Sequence, residues 1–169
     1  MSADLPDSLD AWRAVTARRV FDGTAALSSF SRLRDSLADT EGTCRYRLVF
    51  GLDELDHPMV EVEADTELPL VCQRSLERFL LRVSVRQRLG LLRREEDETM
   101  LPPGVEPVLV GADGKLAPLD LIEDELILAL PVVPLAPDTG ALTPDTAPAR
   151  TQDRDNPFAA LAALKKPPT

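Results

Sequence analysis

The chain has 169 residues and a formal net charge of −10, with 44% hydrophobic but only 4% aromatic residues. That length suits one compact domain with a tail, its core must be built from aliphatic side chains, and aromatic base-stacking platforms are not expected. A membrane span, export and a disulfide framework are also excluded as expectations. The longest apolar stretch, Leu126 to Pro137, is interrupted by proline and falls well short of the roughly 20 residues a membrane helix needs. Met1 to Val20 interleaves Asp4, Asp7 and Asp10 with arginines where a signal would have a basic start and an apolar run. Two cysteines and one histidine suit a reducing cytoplasm.

Along the chain, Asp7 or Ser8 can cap a short helix that runs through Trp12. Ala17 to Ala26 alternates imperfectly and reads as a strand. Ser29 to Ala38 sets Phe30, Leu33 and Leu37 at helical spacing behind serine caps, predicting a short amphipathic helix. The clearest sheet signal follows. Cys44, Tyr46, Leu48 and Phe50 fall on one face, Gly51 to Pro58 break the run, and Val60, Val62, Ala64, Thr66, Leu68 and Leu70 then alternate with Glu61, Glu63, Asp65 and Glu67. After Cys72 to Ser75, a third run sets Phe79, Leu81, Val83, Val85 and Leu89 against Arg82, Arg86 and Arg88. This predicts an antiparallel meander whose outer face carries acids on the middle strand beside arginines on the third. A turn near residue 55 puts Cys44 opposite Thr66 and leaves Cys72 about 20 Å further along, so the two cysteines share neither a bridge nor a metal.

Glu95 to Glu98 opens an acidic loop that continues through Pro102, Pro103 and Gly104. Pro107 to Val110 reads as a short strand and Gly111 to Gly114 as a tight turn. From Asp120 to Pro134 a helix is spelled out: Asp120 as cap, Glu123 completing a capping box, Ile122, Leu126, Ala129 and Leu130 on one face, and Pro131 as the stop. Residues 134–155 turn to proline, threonine, alanine and aspartate, the composition of a flexible linker. Asn156 then caps, Pro157 takes the first helical position, and Phe158, Leu161 and Leu164 recur at helical spacing in a tail helix over 156–169. The expected fold is α+β: an antiparallel meander packed by a few short helices over residues 1–133, with a flexible C-terminal tail ending in a short helix.

Charge is segregated. Residues 51–70 hold seven acids and no base, 71–94 hold seven arginines against Glu77, and 95–130 hold ten acids against Lys115. Arg74, Arg78, Arg82, Arg86 and Arg88 are thus candidate contacts to RNA phosphate. Glu123, Asp124 and Glu125, together with Phe158, Leu161 and Leu164, are candidate contacts to a protein partner. Against the first group stands neutralisation of the arginines by the neighbouring acidic strand. His57, the one histidine, cannot build a triad or a two-histidine metal site. The carboxylates are placed on strand surfaces, a loop and a helix turn, and no glycine-rich phosphate loop occurs, so no catalytic residue, metal or cofactor is expected. Cys72 reads as buried and structural, with Arg74 and Arg78 as groups able to lower its pKa if it is reactive.

Three stretches read together resemble the YceD family of bacterial large ribosomal RNA accumulation proteins: Cys72-Gln73-Arg74-Ser75, Leu119 to Pro131, and Asn156 to Lys165. The resemblance implies a cytoplasmic role in the synthesis, processing or stability of 23S ribosomal RNA, without cofactor, membrane or small-molecule substrate. It implies large-subunit ribosomal RNA or a pre-ribosomal particle as partner, with a basic ribosomal protein as a further candidate. Two alternatives stand beside it: an RNA-processing hydrolase or nuclease, and a protein adaptor with no RNA contact. Many family members carry a second cysteine where this chain has Ser75, so a site needing both thiolates is not expected here.

Overall fold

The described residues are 5–137 of the computed structural model, and their elements run β1 (Leu9–Asp10), α1 (Ala11–Thr16), β2 (Val20–Ala26), β3 (Thr43–Leu52), β4 (Pro58–Val71), β5 (Arg78–Leu92), β6 (Glu106–Leu109), β7 (Lys115–Leu116) and α2 (Pro118–Leu128). The expected tail helix, with Phe158, Leu161 and Leu164, lies outside them, as does the expected linker beyond residue 137.

Five strands form one sheet in the order β2-β3-β4-β5-β6, and β1 pairs β7 in a separate two-residue ribbon. β3, β4 and β5 are the antiparallel meander that the alternation predicts, and β2, the imperfectly alternating strand, joins it as a fourth antiparallel strand beside β3. Their inner rows meet in register, with Phe21 opposite Leu48, Phe50 opposite Val60, and Val60 opposite Leu89. Phe21 and Phe50 pack edge to face at 6.1 Å between ring centres. α2 closes this face with Ile122 and Leu126, both fully buried beside Leu48, Val60 and Val62 in one core. The fold is a mostly antiparallel sheet with a few short helices.

Several local expectations change. α1 is capped by Asp10, whose carboxylate accepts the Arg13 N–H at 2.9 Å, and not by Asp7 or Ser8. Residues 29–38 do not form one helix; short 3-10 turns at Leu27–Ser29 and Leu33–Ser36 flank Phe30, and both Phe30 and Leu33 are buried. The physical reason is a distant acceptor. The Arg32 and Leu33 N–H groups donate to the Glu123 carboxylate at 2.6 and 2.9 Å. Asp120 is therefore not part of a capping box: α2 starts earlier, on Ala117, with Pro118 at its first position, where a missing amide is harmless. Its C-cap is Ala129, two residues before Pro131.

Pro107 to Val110 does yield a strand, but β6 pairs parallel to β5, from Leu89 opposite Glu106 to Leu92 opposite Leu109. The predicted turn forms at Gly111–Gly114, where the Gly114 N–H donates to Gly111 O at 2.8 Å and Gly114 takes φ 72°, a left-handed conformation that favours glycine. Glu95–Met100, expected as loop, is a 3-10 turn.

Candidate functional site

The outer face of the sheet carries three charged rows. On β4, Glu61, Glu63, Asp65 and Glu67 form the central row; Arg45 and Arg47 of β3 lie opposite Asp65 and Glu63 on one side. Arg82, Arg86 and Arg88 of β5 lie opposite Glu67, Glu63 and Glu61 on the other. The strand period of two makes this inevitable once the inner faces are apolar. Arg45 and Arg47 were not singled out from the sequence, although their alternation with Cys44, Tyr46 and Leu48 carries the signal.

The arginines differ in how far they are satisfied. Arg86 bridges Glu61 at 2.8 Å and Glu63 at 3.3 Å, and Arg78 holds Asp39 at 2.5 Å. The Asp39 carboxyl is held below the usual range, first by that Arg78 bond and then by the Glu41 N–H. Arg82 and Arg88 have no carboxylate at ion-pair distance among the described residues, although acids stand opposite both. Arg74 leaves the row altogether, because it sits in the turn between β4 and β5. Open hollows flank the face. One of about 750 Å³ is lined by Arg45, Asp65, Glu67, Arg78 and Arg82, and another of about 650 Å³ by Val49, Leu52, Met59, Pro102 and Arg88.

Two of the α2 acids, Glu123 and Asp124, serve the fold. Glu123 is 2% exposed; besides the two backbone amides it accepts the Arg32 Nε at 3.1 Å, while Arg32 also reaches Asp124 at 2.6 Å. Glu125 is 7% exposed. As exposed partner contacts, Glu123 and Glu125 are thus corrected: both residues are buried, and Asp124, the exposed residue of the three, is engaged by Arg32. Burial, then the nearby charges of Glu106 and Asp124, pushes the Glu125 carboxyl up. A raised acid pKa favours the fold at low pH, and that advantage is lost as pH rises from the ordinary carboxylate range through the shifted value. Glu125→Gln is therefore expected to raise Tm at neutral pH by a few degrees (order of magnitude), with the gain vanishing in thermal melts below about pH 4.

The Cys72–Ser75 turn encloses its sulfur. Cys72 is fully buried, and residues 134–137, read as the start of a linker, fold back over it: the Gln73 N–H donates to Pro134 O at 2.9 Å and the Ala136 N–H to Cys72 Sγ at 3.4 Å. Cys72 is pulled down to about 6, first by the Ala136 N–H and then by the backbone and hydroxyl of Ser75; the expected arginines are not the leading cause. Cys44, buried in the core, is pushed up to about 11. His57 is a turn residue, as expected: its Nδ1 lies 3.0 Å from Asp53 Oδ2, and Asp53 also accepts the Leu55 and His57 amides. Among the described residues, no group of three or more His, Cys, Asp or Glu side chains is placed to hold a metal ion, and no helix is long and apolar enough to cross a membrane.

Comparison with known proteins adds the family. The model of the family described as large ribosomal RNA subunit accumulation protein YceD matches residues 60–165, from β4 onward. A curated relative of that name from Haemophilus influenzae is 25% identical over 168 residues, covering 96% of this chain and 97% of its own. No solved structure matches. With the family match spanning more than half of its length, the chain belongs to the YceD family of large ribosomal RNA subunit accumulation proteins.

Proposed function

We propose that this protein promotes 23S ribosomal RNA accumulation as a cytoplasmic, non-catalytic factor that binds a pre-ribosomal particle, and that β5 makes the contact. Family membership supports the process, since the curated relative is named for large ribosomal RNA subunit accumulation. One observation carries the choice of strand: Arg82 and Arg88 are exposed and without an ion-pair partner among the described residues, whereas Arg78 and Arg86 are held by acids of the same chain. Arginines already satisfied internally have little to gain from a partner; unsatisfied ones gain charge-assisted hydrogen bonds when one arrives.

Reversal of both, Arg82→Glu with Arg88→Glu, is expected to reduce co-sedimentation with large-subunit precursors by about tenfold at low salt. Arg86→Gln, which removes an engaged arginine, is expected to change it less than about threefold. Unchanged sedimentation of a double variant that folds normally by circular dichroism would sink the assignment. Cleavage of precursor RNA by the purified wild-type protein would replace binding with hydrolysis as its activity.

A further inference from the structure

β5 is 15 residues long, but β6 pairs only with its end, Leu89 to Leu92. On the side away from β4, Phe79 to Arg88 find no backbone partner among the described residues. At strand rise this open edge runs about 30 Å, a ready template for another strand.

The strand that β5 already accepts indicates what a second would need. β4 sets Glu61 and Glu67 opposite Arg88 and Arg82 on the outer face, and Ala64, Leu68 and Leu70 opposite Val85, Leu81 and Phe79 on the inner face. Toward the open edge the same two needs recur. Arg82 and Arg88 lack ion-pair partners among the described residues outside, while Phe79, Leu81 and Val85 remain only partly buried inside. Resting on β5 as the contact strand, we propose that its free edge receives an extended protein segment alternating acidic and apolar residues, which adds to the sheet in line with β6.

Two other occupants fit worse. In a second copy pairing antiparallel about a two-fold axis, centres at Arg82, Val83, Ser84, Val85 and Arg86 put Arg82 on Arg82, Arg78 on Arg88, Arg82 on Arg86, Arg82 on Arg88 and Arg86 on Arg86, respectively. Like charges directly opposite destabilise a strand pair, so at these central registers the edge is built against itself. An RNA strand offers phosphates to the arginines but neither a peptide ladder for the edge amides nor apolar cover for Phe79 and Leu81.

The test uses the full chain and a fluorescein-labelled peptide copying Val60 to Leu68, with a control peptide whose four acids are lysines. Anisotropy measures binding, and deuterium uptake over Phe79 to Arg88 measures edge pairing. The acidic peptide is expected to bind and slow exchange there by at least about tenfold, the lysine peptide to do neither, and Arg82→Gln with Arg88→Gln to weaken binding by about fivefold. This milder variant avoids placing glutamates beside the β4 acids. Binding without protection of β5, or equal binding of the lysine peptide, overturns the inference. So does protection by single-stranded RNA but not by the peptide. If the peptide does not bind while the wild type still sediments with precursors, strand addition fails and the particle-binding reading stands.

Discussion

Glu123→Ala is expected to lower the unfolding free energy by about 3–5 kcal/mol in urea denaturation. Glu123 is 2% exposed, and its carboxylate receives the Arg32 amide, the Leu33 amide and the Arg32 Nε at 2.6, 2.9 and 3.1 Å. Deleting it leaves two backbone donors facing no acceptor, and the segment holding Phe30 and Leu33 in the core loses its tie to α2. Glu123→Gln keeps one oxygen but turns an NH₂ toward groups that are themselves donors, for a loss of about 2 kcal/mol. Arg32→Ala is expected to remove only about 1 kcal/mol, because the Arg32 side chain is 51% exposed and both backbone amides still reach the carboxylate. That ranking is the test. Equal losses for Arg32→Ala and Glu123→Ala would mean that the ion pair, and not the backbone anchor, joins the two segments.

Glu123 also marks where the sequence is legible and where it is not. β3, β4 and β5 could be read because each buries one face, and a period of two then determines both the core row and the charged row without knowledge of anything distant. The outer ladder of Glu61, Glu63 and Glu67 against Arg88, Arg86 and Arg82 follows from that parity. Which arginine is satisfied does not, because among the described residues Arg86 reaches two acids and Arg82 none through side-chain geometry that a strand pattern leaves open. The apparent capping box of Asp120 and Glu123 is a correct local signal overruled by a contact 91 residues away. The same contact divides the predicted helix at residues 29–38 into turns. β6 was legible as a strand but not as parallel, since its orientation depends on how residues 93–105 carry the chain back to the start of the β5 overlap.

Cys72 is expected to be a thiolate at neutral pH. Thiolate ultraviolet absorbance of the native protein should titrate with a midpoint near 6, and Cys44, pushed up to about 11, should be silent across that range. The sulfur is buried, which alone would raise its pKa; donors from Ala136 and Ser75 outweigh this because a thiolate accepts their hydrogen bonds far better than a thiol does. Since the folded value lies below the unfolded one, ionisation stabilises the fold fully above the ordinary thiol pKa of about 8.5, and the contribution is lost as pH falls through about 6. Cys72→Ser should therefore destabilise the protein more at about pH 9 than at about pH 5. Ala136→Pro removes the leading donor while leaving the turn at Cys72 to Ser75 in place, so it should move the midpoint upward. A wild-type midpoint above about 8, in the range of an unperturbed thiol, would show that residues 134–137 do not cap the sulfur. Ser75 gives the result its wider meaning. Where the family resemblance implies a second cysteine, this chain places a hydroxyl that hydrogen-bonds the first, so the turn stabilises a thiolate without a second sulfur to oxidise or to share a metal with it.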